Sequence, residues 1–267
     1  MFELKNKRII ISGASSGIGK QLCFELAKYN PRLILMARNL EVLEQVRNEV
    51  VSANPQLSEP VIISCDISSE KAVKNAIKQL SPEKQAIDIL INNAGIGVYG
   101  PIKNTTPQDF KQILDINFMG AVNLTYHTLP YFPENSRGMI VFVSSIAALY
   151  GMPCYAAYSA SKAALRSFSQ TLRAELYNSK ISVLHVAPDY TQTRFFRNEK
   201  FVPGARLQRD KMAKAEDVAH QIVQQMKRNK PEAALSLRGK LIEKVAALSP
   251  GFVRAYFRKR AGKLLKT

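Results

Sequence analysis

The sequence predicts an α/β fold, a doubly wound parallel sheet with helices on both faces, and two observations carry that prediction. Short β-branched runs alternate along the chain with stretches of helical apolar spacing, and strands separated by helices need crossover connections. The runs are also nearly continuously apolar instead of alternating, as strands covered on both faces must be.

Arg8–Ser12 opens the pattern as a strand, a glycine-rich turn follows, and Lys20–Tyr29 carries helical spacing at Leu22, Phe24, Leu26 and Ala27. Further strands are expected at Leu33–Ala37, Val61–Cys65, Ile87–Asn92, Met139–Ser144 and Ile181–Ala187, with helices such as Leu40–Ala53 and Glu70–Leu80 between them. No repeat, low-complexity tract or Pro/Gly-rich linker divides the chain, so residues 1–267 read as a single domain. After Thr193 the regularity weakens. Residues 194–214 form a basic and aromatic segment, expected to bind substrate because contacts are often carried on loops over a rigid scaffold. A helix at Ala215–Lys227 and a basic amphipathic stretch over 250–267 complete the chain.

Composition excludes several classes. With 46% hydrophobic and 22% charged residues in 267 the chain can bury a core and is not a disordered sequence. The three cysteines, Cys23, Cys65 and Cys154, lack metal-ligand spacing and suggest neither a disulfide framework nor a metal site. A reducing cytoplasmic setting is expected, possible contact with a membrane periphery aside; the N-terminus has no signal-like apolar core and no run approaches a bilayer span. The net charge of +17 is concentrated late: from residue 194 onward there are 19 basic against 6 acidic residues, and before it 19 against 15.

The turn after the first strand reads Gly13-Ala-Ser15-Ser-Gly17-Ile18-Gly19. Glycines between a strand and a helix allow a tight turn and close approach of backbone to pyrophosphate, whose charge the helix N-terminus attracts. Their four-then-two spacing resembles the short-chain dehydrogenase/reductase family, and later motifs repeat the resemblance. It implies a Rossmann-like fold and binding of a nicotinamide dinucleotide. The second strand ends Met36-Ala37-Arg38-Asn39, with no acid for a ribose 2′-hydroxyl and with Arg38 available to a 2′-phosphate, so NADP(H) is favoured over NAD(H). A solvated surface arginine is the plainer alternative. Asp66-Ile67 after the third strand and Asn92-Asn93-Ala94-Gly95 after the fourth match the family's adenine-side and central landmarks, at the strand ends where ligands bind in such sheets.

Tyr158 and Lys162 stand four apart in a helix-compatible stretch, on one face, where an ammonium would favour phenolate and lower the tyrosine pKa. Such a pair is often only a surface contact; the resemblance makes it catalytic. Ser145, thirteen residues before Tyr158, and Asn117, in Asp115-Ile-Asn117-Phe, complete the family's four positions. Tyr155 and Ser144 compete and fail on spacing. The resemblance implies hydride transfer between NADPH and a carbonyl carbon. In it Tyr158 is the proton donor, Ser145 holds the carbonyl oxygen, Lys162 binds the nicotinamide ribose, and Asn117 positions a water in the proton relay. Pro188-Asp189-Tyr190-Thr191-Gln192-Thr193 resembles the nicotinamide loop, with Pro188 and Thr193 as contacts and with Asp189 where the family has glycine.

The expected function is NADP(H)-dependent interconversion of a small-molecule carbonyl and alcohol, with a lipophilic or medium-sized substrate and, by family analogy, a homo-oligomeric assembly. Rival readings are an acyl-carrier-linked 3-oxoacyl reductase and a low-turnover dinucleotide-sensing or membrane scaffold protein. Phe195, Phe196, Phe201 and Val202 line a pocket or belong to the core; Arg194, Arg197, Lys200, Arg206 and Arg209 meet an acidic ligand or form a solvated face. In the C-terminal stretch Phe252, Val253, Tyr256, Phe257 and Leu264 lie at helical spacing among Arg254, Arg258, Lys259, Arg260, Lys263 and Lys266. That suits an anionic membrane surface or a docked terminal helix, and no specific nucleic acid is expected. His127, His185 and His220 show no ligand pattern.

Overall fold

The computed structural model describes residues 1–80, 85–193, 199–205 and 212–265. Seven parallel strands form its sheet: β1 (Arg8–Ser12), β2 (Arg32–Ala37), β3 (Val61–Ser64), β4 (Ile89–Asn92), then, after the two-residue β5 (Val98–Tyr99), β6 (Gly138–Val143) and β7 (Ile181–Ala187), and finally β11 (Glu232–Ala234). They lie in the order β3-β2-β1-β4-β6-β7-β11. The order reverses at β1, with chain running outward to one edge through β2 and β3 and to the other through β4, the switch point at which doubly wound sheets bind ligands. Register is in phase across the centre, with Ile10 facing Ile34 on one side and Leu90 on the other.

The period-two pleat sorts the side chains of one strand into two cores. Ile9 and Ile11 join Leu22 and Leu26 of α1 (Gly17–Ala27), Leu43, Val46 and Val50 of α2 (Leu40–Ala53), and Val218 and Ile222 of a later helix, Ala215–Arg228. Ile10 points the other way, into a cluster with Val73 and Ile77 of α3 (Glu70–Leu80) and with Leu124, Leu165 and Leu172 of the helices Gly120–Thr128 and Ala156–Glu175. Both faces are thus covered, which is why the strands are apolar on both sides. The expected Leu40–Ala53 and Glu70–Leu80 helices are found with those bounds. The first helix begins at Gly17, earlier than its apolar spacing suggests, because the glycine loop feeds straight into its first turn.

Between β4 and β6 one continuous helical stretch runs through α4 (Pro107–Leu114), a π-helical turn over Asp115–Met119, and α5 (Gly120–Thr128). Thr106 and Asp109 form a reciprocal capping box at its start. After β6 comes α6 (Ala156–Glu175). The segment past β7 contributes three short strands, β8 (Thr191–Gln192), β9 (Lys200–Phe201) and β10 (Ala213–Lys214); β9 pairs with β5, and β10 with β8. The chain then continues through α7 (Ala215–Arg228), β11, α8 (Leu237–Leu248) and α9 (Pro250–Leu264). The basic stretch expected over 250–267 is thus the single helix α9, and α8, before it, was not among the helices read from the sequence.

Candidate active site

A cleft of about 540 Å³ opens along the C-terminal ends of β1, β2, β3, β4 and β6. Its floor is the glycine turn. Gly13 and Gly17 take left-handed conformations, φ +67° and +55°, that favour glycine. At Gly19 space is the constraint: a Cβ there would stand 2.1 Å from the Gly13 carbonyl oxygen and 2.5 Å from Asn93 Nδ2. Asn93 braces the turn by donating to the Ser12 and Gly13 carbonyls at 3.0 and 3.3 Å, and Ser12 Oγ accepts from the Asn93 and Ala94 amides at 3.0 and 3.2 Å. Ser12 was not singled out by sequence, although a serine ending an otherwise isoleucine strand was the available signal.

Ser15, Gly17 and Ile18 line one end of the cleft with Arg38, whose exposed side chain follows the end of β2; Ser64 Oγ donates to the Arg38 carbonyl at 2.8 Å. Asp66 and Ile67 line the same end. Asp66 Oδ1 accepts from the Ser68 amide and hydroxyl, and Ile67 is buried against Gly120, which lies so close that a Cβ there would come within 2.5 Å of the isoleucine. At the other end Ala94, Gly95, Pro188 and Thr193 join the lining, and Thr193 closes over the glycine turn, within 3.0 Å of where a Gly17 Cβ would lie.

Ser145, Tyr158 and Lys162 line the middle of the cleft, and Asn117 lies buried behind Gly95 beside them. Ser145, two residues past the end of β6, is extended and caps the short turn Ile146–Ala148, its Oγ accepting from the Ala147 amide at 3.1 Å. Tyr158 and Lys162 share one face of α6, with Lys162 Nζ 5.8 Å from the Tyr158 ring centroid. The Tyr158 hydroxyl shares a hydrogen bond with the Ser145 side chain. Lys162 Nζ donates to the Val143 carbonyl at 3.1 Å. Asn117 is buried in the π-helical turn, a distortion often found at functional sites; its Oδ1 accepts from the Ile96 amide at 2.8 Å and its Nδ2 donates to the Ile96 carbonyl and Ser161 Oγ at 3.0 and 3.1 Å. Gly95 separates Asn117 from Lys162: a Cβ added there would lie 3.2 Å from Asn117 Oδ1 and 3.6 Å from Lys162 Nζ.

The electrostatics correct one expectation. Burial pushes the Tyr158 phenol above its ordinary value; the hydrogen bond with Ser145 opposes that, and the nearby Glu199 carboxylate adds to it. Burial also lowers the Lys162 ammonium to about 8. The balance at Tyr158 is upward, against the depression expected from its lysine neighbour, because desolvation of the charged form outweighs the Ser145 hydrogen bond. At neutral pH the phenol is protonated and can give a proton away.

Asp189, where the family pattern has glycine, does not occupy a left-handed conformation. Its carboxylate accepts from the Tyr190 amide at 2.8 Å and from Ser236 Oγ at 3.0 Å, tying the loop to the start of α8. Ile146 N donates to the Pro188 carbonyl at 2.9 Å, fixing that loop to the Ser145 turn. Sequence reasoning set Tyr155 aside as a proton donor, and the structure makes it a wall: it is buried, lines the cleft, and packs 4.8 Å from Tyr99 and 5.9 Å from Tyr158 between ring centroids. Met152 and Tyr190 line the same side and were missed, since only tertiary packing brings them there. Of the substrate segment, Val202 is buried against Gly100, Phe201 is half-exposed and stacked on Tyr99, and Lys200 pairs with Asp109 at 2.7 Å. Arg194, Phe195, Phe196, Arg197, Arg206 and Arg209 lie outside the described residues, as does Lys266.

Residues 7–201 match the family model for short chain dehydrogenases. The chain belongs to the short-chain dehydrogenase/reductase family. It is 34% identical over 206 residues to the rat protein named dehydrogenase/reductase SDR family member 7B, a match covering 76% of this chain and 63% of that protein, so it spans less than two thirds of that relative's length. To 3-ketodihydrosphingosine reductase of Dictyostelium discoideum it is 35% identical over 275 residues, covering 96% of this chain and 81% of that one. The fold matches that of a short-chain dehydrogenase/reductase from Burkholderia phymatum, crystallised with NAD, with a TM-score of 0.82, 22% identity, and coverage of 94% and 96% of the two chains. The oxidoreductase character of the family thus joins a cleft lined by Ser145, Tyr158 and Lys162, with Asn117 buried behind Gly95.

Proposed function

We propose that the chain is an NADP(H)-dependent reductase of a lipophilic ketone or aldehyde, with Tyr158 as general acid. The observation that carries this reading is the hydrogen-bonded Ser145–Tyr158 pair beside the buried Lys162, at the C-terminal edge of the sheet. The cleft fits a dinucleotide. At Gly13 and Gly19 backbone atoms fill the space a side chain would need, and the bare turn lets a pyrophosphate approach the amides at the start of α1. Ser15, Gly17, Ile18 and Gly19 would hold the phosphates, Asp66 and Ile67 the adenine side, and Asn93, Ala94, Gly95, Pro188 and Thr193 the nicotinamide half. Arg38, with no acid beside it at the end of β2, favours a 2′-phosphate. The NAD bound by the Burkholderia protein does not choose for this chain, because the likeness at that identity concerns the fold.

When bound, the dinucleotide supplies the hydride. Ser145 and Tyr158 hold the carbonyl oxygen, and Tyr158 releases its proton to that oxygen as negative charge develops there. Lys162 binds ribose hydroxyls and stabilises the phenolate formed, while Asn117, held at three points, keeps the path to Lys162 open for a relayed proton. The apolar wall made by Ile96, Val98, Met152, Tyr155 and Tyr190 favours an aliphatic or polycyclic substrate, and the similarity to a 3-ketodihydrosphingosine reductase favours a long-chain ketone.

The test is turnover of a carbonyl panel that sets short polar, acyl-thioester and long-chain members side by side. Tyr158→Phe is expected to lose about 10²–10⁴-fold in kcat while NADPH binding, followed by fluorescence, is retained. Arg38→Ala is expected to weaken NADPH about 10-fold or more with little change for NADH, the loss of one charged hydrogen bond. Turnover surviving in Tyr158→Phe sinks the catalytic reading; equal weakening of both cofactors sinks the Arg38 assignment.

A further inference from the structure

We infer that the outer surface of α8 and α9 is a docking face for an anionic phospholipid membrane. One side of α9 is already used. Val253, Phe257 and Leu264 are buried within about 40° of one another around the helix axis, and Phe257 stacks on Tyr150 with centroids 5.0 Å apart and rings 6° from parallel. The docked-helix reading therefore accounts for one face only.

The remaining faces are not those of a helix surrounded by water. Leu237, Leu241 and Leu248 on α8 are 84%, 62% and 87% exposed and fall at i, i+4 and i+11, again within about 40° around the axis. Lys240 and Lys244 flank that row and are exposed. On α9 the 66%-exposed Phe252 and the half-exposed Tyr256 lie on one flank of the buried face. Facing outward, a shallow groove lined by Gly251, Arg254, Ala255, Arg258 and Lys259 offers three cations and no acid. Over residues 237–265 there are eight basic residues and one acid, Glu243, which is engaged by Arg166 at 2.9 Å.

Apolar rows bordered by lysine and arginine match the division of a bilayer surface, where aliphatic and aromatic groups enter the acyl boundary and cations meet lipid phosphates. Charge chooses the occupant. A second copy of this face would set like charges against like, and a nucleic acid would satisfy the cations but leave the leucine row in water. Among the described residues no helix is long and apolar enough to cross a membrane, so the contact is peripheral. The face also adjoins the cleft: Val253 and Phe257 belong to the same apolar cluster as Ile146, Met152 and Tyr155, which line it. Docking there would hold the substrate wall beside the lipid. The inference concerns binding and stands whether or not the substrate reading holds.

Co-sedimentation of the full chain with vesicles tests it. Vesicles of phosphatidylcholine with phosphatidylserine are expected to bind the protein, those of phosphatidylcholine alone much more weakly. A triple variant Arg254→Gln, Arg258→Gln, Lys259→Gln is expected to lose about 100-fold in partition, at roughly 5-fold per cation near an anionic surface. Leu241→Ser with Leu248→Ser is expected to release binding that persists at high salt. All five side chains are exposed, so the melting temperature should hold, and circular dichroism checks it. Vesicle binding that is absent, indifferent to phosphatidylserine, unchanged in both variants, or displaced by equimolar duplex DNA would overturn the inference.

Discussion

Lys162 is an ammonium enclosed by protein, and replacing it should stabilise the fold while ending its chemistry. Its side chain donates to the Val143 carbonyl, no carboxylate pairs with it among the described residues, and burial lowers its pKa from 10.5 to about 8. A displacement of that size corresponds to about 3 kcal/mol of folding free energy withheld at neutral pH. Lys162→Met removes that cost and leaves the Val143 carbonyl without its donor, a loss of about 1–3 kcal/mol. The net expectation is a variant more stable by about 1 kcal/mol at pH 7, with a melting temperature a few degrees higher. The sign with pH follows from protons bound. Between about 8 and 10.5 the unfolded lysine is protonated and the folded one is not, so wild-type stability rises with pH across that window. The advantage of the variant should therefore be full below about pH 8, vanish within about one further pH unit, and be reversed by about 10.5, where wild type no longer carries the cost but the variant still lacks the hydrogen bond. Urea unfolding of both proteins without cofactor, repeated from pH 7 to 10.5, measures the difference directly. A variant less stable at pH 7, or a gap that does not change with pH, would refute the reasoning.

Gly19→Ala should cost about 1–3 kcal/mol in thermal unfolding and weaken NADPH binding at least 10-fold, because its Cβ would stand 2.1 Å from the Gly13 carbonyl oxygen, a backbone atom that cannot swing aside. Gly262→Ala in α9, with nothing within 4 Å, is the matched opposite and should gain roughly 0.5–1 kcal/mol by the same measurement. Ser236→Ala removes both the cap on the Gly239 amide and the hydrogen bond to Asp189; a loss of about 1–2 kcal/mol is expected, with a raised KM for cofactor because the nicotinamide loop loses its anchor. An unchanged KM would show that Asp189 holds its place without Ser236.

Legibility followed the range of the forces involved. Strands such as Arg8–Ser12 and Ile181–Ala187 were readable to the residue because their apolar runs are continuous and bounded by turns. β11 was not, since Glu-Ala-Ala has no strand preference and pairs through its backbone with His185, Val186 and Ala187. The glycine turn and the Tyr158–Lys162 pair were legible as spacings within one stretch, while Ser145 and Asn117, on other elements, were assigned only through the family resemblance. The wall of Met152, Tyr155 and Tyr190 was not, because it exists only once α6, the loop after β7 and the last helices have packed together. Asp189 illustrates both sides: the departure from glycine was plain in the sequence, but its tether to Ser236, 47 residues away, depended on where α8 would begin.

The π-helical turn at Asp115–Met119 makes the register of this stretch a counted quantity. One residue more than a regular helix needs is threaded between α4 and α5, and each residue turns a helix by about 100°. With it, α4 presents Ile113 to the cluster around Val98, Ala157 and Val202, while α5 presents Leu124 to the sheet. An in-frame loss of a single codon here would let the backbone relax into an uninterrupted α-helix with better-formed hydrogen bonds. The gene would then encode a helix of higher local stability whose two halves could no longer both face their partners, and Asn117 would be the first side chain to turn away.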